Sequence, residues 1–456
     1  LATVELERAR LTQHIGQSLT HARQAAALAE SASSQSLLIR ARLLEAVRYA
    51  AGGDLPQSES MAREAVALAE QNSLGAVAAE GLNDLAEVIF TQLKYEEAAK
   101  LLEQARAIAQ RFSAKRTEAD VLLRMGRVFA PMNQEERSRQ ALEALEKAEA
   151  FFRQSGDRAK VALAIQRRAD VYRRQGRLPE ARGQYQAALR ESETESGRNA
   201  ARIGLAVVFT AEGNYQEAAN LLQQIVDYYR KTSNKLLAHS YLLRYAQNLR
   251  LLGRFDQSAA IVRGILDETP ATPEIAAQCE ADLGAIDFAN RKFDTAFTRL
   301  ERLAAHAANK ERKAVYNQRR YDLCMKYASA HYTQKAQRLC TEIEPVERAD
   351  PRRHLDVLDA LAMAALQQGN HARAVRLASE SVCLGIEANA REPVFFSLML
   401  LTRARHGAKD PQWLATRART EAALRAWEEQ AGKQAVAQSL SRWFISEHWD
   451  AVRTLQ

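Results

Sequence analysis

The sequence predicts an all-α protein, a solenoid of about ten helix–turn–helix repeats closed by a C-terminal helix. Apolar residues recur at helical spacing on both sides of short turns, and two positions about forty residues apart in successive copies accept only small side chains. Nine prolines and nineteen glycines are few for 456 residues, which favours long helices.

The clearest copy runs from Ala164 to Leu189, AIQRRADVYRRQGRLPEARGQYQAAL. Ile165, Ala169 and Tyr172 form one apolar stripe, Gly176 interrupts it, and Leu178, Ala181, Tyr185 and Ala188 form a second. That is the pattern of two amphipathic helices around a tight turn. Glycine suits the turn because a helix end often needs a left-handed residue. The small residue of the first helix recurs as Ala46, Ala86, Gly126, Ala169, Ala206, Ala246, Gly284, Cys324 and Ala362. Its counterpart in the second helix recurs as Ser58, Ala98, Ala141, Ala181, Ala218, Ser258, Ala296, Ala336 and Ala374. A large side chain at either place would force the paired helices apart.

The chain divides into an incomplete leading repeat (1–35), nine repeats (36–391), and a degenerate repeat with a capping helix (392–456). HARQAAALAE (21–30) matches MAREAVALAE (61–70) at seven of ten positions, yet forty residues before Ala46 stands the bulky Leu6. The first helix of the leading copy is therefore expected to be frayed, replaced or cut short. At Gly126 the turn gains three residues, and Pro131 should end the first helix early. Pro270 and Pro273 form a stiff joint, and residues 435–449, with Trp443, Phe444 and Trp449, read as one closing helix. A first residue that is Leu1 and no basic-then-apolar leader suggest an excised or processed chain.

Composition excludes several classes. Hydrophobic content of 47% and charge of 26% describe a globular chain, and no run of apolar residues is long enough to span a membrane. Cys279, Cys324, Cys340 and Cys383 lack metal or redox spacing and read as structural thiols in a reducing cytoplasm. There is no phosphate loop, no HExxH, no nucleophile elbow and no His/Cys pair at ligand spacing, so neither enzyme nor cofactor is expected. The net charge of +8 is concentrated in residues 151–260, which hold 18 Lys+Arg against 10 Asp+Glu. A local basic bias points to an acidic partner. Nucleic acid is disfavoured, because the basic residues lack interleaved aromatics.

These residues resemble the tetratricopeptide repeat (TPR): small residues in both helices, a turn glycine, and an aromatic three residues after the first small one, here Tyr49, Phe129, Tyr172, Phe209 and Tyr327. The forty-residue period is similar to that of Pins-type adaptors and MalT-type bacterial regulators. The resemblance implies a right-handed solenoid whose concave groove, lined by the first helices, binds a protein or peptide segment; the groove residues run from acidic through basic to apolar, an order that suits an extended, amphipathic segment with an acidic part. Positions three before, one after and four after the small residue should line it. The ligand-binding residues expected on this basis are Asn83, Glu87, Arg127, Gln166, Asp170, Arg173, Leu243, Gln247, Arg250 and Tyr321. The function implied is a protein-interaction scaffold, the regulatory arm of a larger signalling protein. The alternative is a sensor that binds a small molecule in a closed pocket.

Overall fold

In the computed structural model the chain forms two compact units, Leu1–Val208 and Phe209–Gln456. The structure describes residues 1–12, 14–132, 134–268, 273–309, 313–388, 390–440 and 443–455, the side chains of 306–309, 313–315, 434–435, 438 and 443–444 excepted. Among the described residues every element is helical.

The first unit contains α1 (Ala2–Leu11), α2 (Ile15–Ser31), α3 (Gln35–Ala51), α4 (Leu55–Gln71), α5 (Gly75–Thr91) and α6 (Tyr95–Arg111). It continues with α7 (Lys115–Phe129), α8 (Glu135–Gln154), α9 (Arg158–Arg174) and α10 (Leu178–Glu191), and the division falls within α11 (Glu195–Ala211). Each helix packs on the next. The first helices of successive pairs (α1, α3, α5, α7, α9) also touch one another, whereas the second helices make no comparable contact. The first helices therefore form the inner layer of this unit. As expected, Pro131 falls just after α7, in a short 3-10 turn at Ala130–Met132.

The small positions are where the helices cross. Ala46, Ala86, Ala98, Ala141, Ala169 and Ala181 have no exposed surface. At Gly126 an added Cβ would come within 2.4 Å of the Leu145 side chain. Where serine replaces alanine it serves the same crossing: Ser58 Oγ donates to the Ala46 carbonyl at 2.6 Å. Ser18 donates in the same way to Ala9, also at 2.6 Å, but across nine residues instead of twelve. The leading copy thus keeps its first helix, with Ala9 at the crossing. That helix is cut short, ending two residues after the crossing where α3 runs on for five, which is why a fixed forty-residue step lands on Leu6.

The second unit contains α12 (Tyr215–Lys231), α13 (Lys235–Leu251), α14 (Phe255–Asp267), α15 (Pro273–Ala289), α16 (Phe293–Asn309), α17 (Lys313–Ser329) and α18 (Thr333–Glu347). It ends with α19 (Pro351–Gln367), α20 (His371–Glu387), α21 (Arg391–Gly407), α22 (Trp413–Ala431), α23 (Lys433–Leu440) and α24 (Trp443–Arg453). The stretch read as one closing helix is two short ones. Trp449 of α24 meets Phe395 of α21 edge-on, with centroids 5.4 Å apart, and Val436, Ile445 and Val452 join Phe395, Met399 and Trp427 in one cluster. Pro270 of the expected joint, and the side chains of Trp443 and Phe444, lie outside the described residues.

The cysteines correct the sequence reading. Cys324 and Cys340 form a disulfide, with Cα atoms 5.2 Å apart. Cys324 holds the first small position, and Cys340 stands where the facing helix elsewhere presents a packing side chain such as Tyr185. The crossing contact has become covalent, and cysteine usage no longer argues for a reducing compartment. Cys279 is a buried thiol, its pKa pushed up to about 11 by burial. No helix among the described residues is long and apolar enough to cross a membrane.

Candidate functional site

The inner layer of the first unit encloses a cavity of about 900 Å³. Its wall comes entirely from first helices. Leu37, Arg40, Leu44 and Val47 stand on α3, Glu80, Asn83, Asp84 and Glu87 on α5, Thr117, Asp120, Leu123, Arg124 and Arg127 on α7, and Lys160, Leu163 and Arg167 on α9. Relative to the small residue, the lining positions are nine before, six before, two or three before, and one after. These are one face of a helix.

The wall is a ladder of ion pairs between neighbouring repeats. Arg40 grips Glu80 with two bonds of 2.8 and 2.9 Å. Arg124 donates to three acceptors on α5: Asn83 at 3.0 Å, Glu87 at 2.8 Å and Asp84 at 3.2 Å. Arg127 also bonds Glu87 and lies 4.8 Å over the Phe90 ring. Lys160 bonds Asp120. Burial pushes the Asp84 carboxyl above its ordinary range, with the Arg124 charge opposing it.

Arg167 is different. Among the described residues it makes no ion pair, and its Nε is buried without a hydrogen-bond partner. Desolvation, and then the charges of Arg127 and Arg124, lower its pKa to about 10. It remains a cation at neutral pH. Arg124, Arg127 and Arg167 therefore concentrate positive charge on one part of the wall while most of the carboxylates of α5 and α7 are neutralised.

Of the residues expected from sequence, the structure brings Asn83, Glu87 and Arg127 into this cavity. Gln166, Asp170 and Arg173 sit on α9 but do not line it. Asp170 accepts the Tyr185 hydroxyl at 2.5 Å and lies 3.6 Å from Arg173, so it ties α9 to α10. In the second unit Leu243 is a core residue, packed with Val226, Ala246 and Val262. Gln247 donates to Asp282 at 3.2 Å. The charge of Arg250 acts on the same Asp282, whose carboxyl is raised mainly by burial. Tyr321 donates to Asp356 at 2.6 Å and lines a separate cavity of the second unit. The position four after the small residue faces the turn: Phe90 packs on Tyr95 at 5.6 Å and Phe288 on Phe293 at 5.4 Å. Sequence reasoning missed Arg124, Arg167, Arg40, Glu80 and Lys160. The available signal was opposite charge one repeat apart, as in Arg40–Glu80 and Asp120–Lys160. Among the described residues no cluster of His, Cys, Asp and Glu could hold a metal.

Comparison with known proteins supplies the family. A tetratricopeptide repeat model matches residues 158–231, and a second matches 205–273. Residues 158–273 are thus tetratricopeptide repeats. No curated protein matches its sequence. Among solved structures, the TPR array is similar to a Signal Transduction ATPase with Numerous Domains from Pyrococcus horikoshii that carries a tetratricopeptide repeat sensor. The TM-score is 0.52 at 15% identity, over 67% of this chain and 46% of that one. The chain thus spans under half the length of that protein. It is also similar to the apo form of RapI, with TM-score 0.54 at 12% identity over 79% of this chain and 97% of that one. Yeast Tom70 aligns over 98% of this chain and 99% of its own, with TM-score 0.46 at 14% identity. At these identities the likeness to the first two, with TM-scores above 0.5, is one of fold.

Proposed function

We propose that the inner cavity of the first unit binds an extended, acidic segment of a partner protein. The observation that carries this reading is the arginine group Arg124, Arg127 and Arg167, in which Arg167 has no carboxylate of its own. Guanidinium groups hold carboxylates by paired hydrogen bonds, and the surrounding repeats offer a long wall for a chain lying across them. A nucleic acid fits less well. Among the described residues the lining includes no aromatic side chain on which bases could stack. No catalytic step is proposed. We further propose that the TPR array is the interaction arm of a larger signalling protein. The structure of a TPR sensor within a signal-transduction ATPase offers a parallel for that arrangement. A cytoplasmic, bacterial setting belongs to the same proposal, although the Cys324–Cys340 disulfide weighs against its redox argument.

The test is a set of acidic peptides titrated against the protein and against Arg167→Glu and Arg127→Gln variants. We expect binding that weakens as salt rises, and at least a tenfold loss in Arg167→Glu, equivalent to about 1.4 kcal/mol. A folded Arg167→Glu variant that binds as the parent does would move the site elsewhere.

A further inference from the structure

In the second unit the first helices α17, α19 and α21 touch in sequence and form an inner layer, and α24 packs on α21. A helix that merely continued the stack would meet only the last pair, α21 and α22. α24 reaches further back. Glu447 lies 3.3 Å from Nε2 of His331, which stands in the turn after α17. Ile445 shares a cavity of about 310 Å³ with Tyr321 and Met325 of α17 and with Asp359 and Met363 of α19. Those four stand three before and one after the small residues Cys324 and Ala362, the positions that bring Asn83, Glu87 and Arg127 into the first unit's cavity. Just past the other end of α24, the Leu455 carbonyl accepts from Arg417 of α22 at 2.8 Å. Eleven residues make a helix about 16 Å long. Packed helices stand roughly 8–10 Å apart, so this length crosses the two intervals from α17 to α21. α24 lies across the inner layer, as a bound helix would.

The contact is amphipathic. Ile445, Trp449 and Val452, four and then three residues apart, pack with Phe395 and Met399 of α21 and Trp427 of α22. Beside this face Glu447 meets His331, and its charge also reaches Arg403 of α21, opposing the fall in the Arg403 pKa that burial causes. The layer thus offers an apolar floor with two basic groups at its edge. The hold on α24 is light. Of its described side chains only Ile445, His448 and Val452 are buried, and His448 is polar, bonded to Arg403. α24 is joined to α22 through the eight-residue α23 and Gly432. Gly432 has a φ of 86° and no atom near a Cβ position, so backbone conformation alone sets this joint.

We propose that α24 is an internal ligand of the second unit's inner layer, displaced by an amphipathic helix of a partner protein that carries the same face: apolar anchors four and then three residues apart, with a carboxylate beside the first. Helices dock in apolar grooves through anchors at this spacing. The His331 and Arg403 pair favours a carboxylate at the edge and opposes a lysine there. A short tether gives α24 an effective concentration on the order of millimolar, so the layer is closed to weak ligands and opens to a helix that outcompetes α24. This site belongs to the second unit and does not rest on the reading of the first unit's cavity.

The probe is a fluorescein-labelled peptide of residues 443–455, titrated against the full chain and against a full-chain Ile445→Ala, Trp449→Ala variant that loosens the internal copy. The expected result is at least tenfold tighter binding to the variant than to the parent. A peptide carrying Glu447→Lys should bind the variant at least tenfold more weakly. Hydrogen exchange on the unaltered chain decides the matter even if the variant fails to fold: millimolar peptide should speed exchange of the α24 amides while α21 stays protected. Equal affinity of the parent and a folded variant, or α24 exchange unchanged by the peptide, would overturn the proposal. Equal binding of the Glu447→Lys peptide would overturn the carboxylate requirement. Sedimentation showing a parent dimer built by exchange of α24 would make the occupant a second copy and overturn the partner.

Discussion

Leu93 occupies the turn position that Gly176 fills elsewhere, and both have positive φ, 64° and 74°. A side chain in this left-handed region carries a steric penalty that glycine avoids. Leu93 is 70% exposed, so little packing is lost with it. We expect Leu93→Gly to stabilise the first unit by about 0.5–1 kcal/mol, the steric relief being partly offset by backbone entropy. A denaturation midpoint at or below the parent's would refute this. A second residue sets the response to acid. His448 is buried, bonded to Arg403 and set edge-on to Phe396. Burial, and then the Arg403 charge, depress its pKa from 6.5 to about 3. The unfolded chain takes up this proton as pH falls below 6.5, but the folded chain takes it up only near 3. The stability contribution is therefore full above pH 6.5 and is lost as pH falls toward 3. His448→Gln should flatten the fall in the second unit's urea midpoint between pH 7 and 4. An unchanged fall would assign the acid sensitivity to other groups.

At the scale of the element, the crossing of paired helices is the feature the sequence made most legible. The two small-residue series mark positions with no room, so Ala181→Leu should cost about 1–3 kcal/mol through overpacking. A melt equal to the parent's would show the register to be wrong. The disulfide was illegible from motif spacing, since a sixteen-residue separation matches no cysteine signature. Repeat alignment held the clue: Cys324 and Cys340 occupy the positions that Ala169 and Tyr185 fill in their own copy. Closing that loop should stabilise the second unit by about 3 kcal/mol. We therefore expect a reductant to lower its melting temperature and to raise the thiols titrated under denaturing conditions from two to four. Four thiols without reductant would remove the crosslink. The groove face was read with a small but consequential rotation. In α5 and α7 the positions three before and one after the small residue reach the cavity, as Asn83, Glu87 and Arg127 show, whereas Gln166 and Asp170 at the same positions of α9 do not. The position four after lies at the turn, where Phe90 meets Tyr95, so Arg173 was misplaced. Leu6 stands at the forty-residue step for a different reason: the leading first helix is cut short after Ala9, as one of the expected alternatives had it, and this shifts the register without changing the fold.

For the molecule as a whole, repetition makes the fold easy to read and the ligand hard to read. Periodic small residues report packing, which every copy shares. The site depends on charges that differ from copy to copy, and their pairing becomes visible only when helices one repeat apart are side by side. Nothing in the sequence singles out Arg124 and Arg167; the packing of α5, α7 and α9 brings them onto one wall. A photo-crosslinking side chain introduced at Thr117 places a reporter on the cavity wall. The same reporter at Arg139, an exposed residue of α8, serves as the outer-surface control. With an acidic peptide that binds, we expect salt-sensitive crosslinking from position 117 and none from position 139. Crosslinking from 139 alone, or equally from both, would contradict an inner-wall site for the partner.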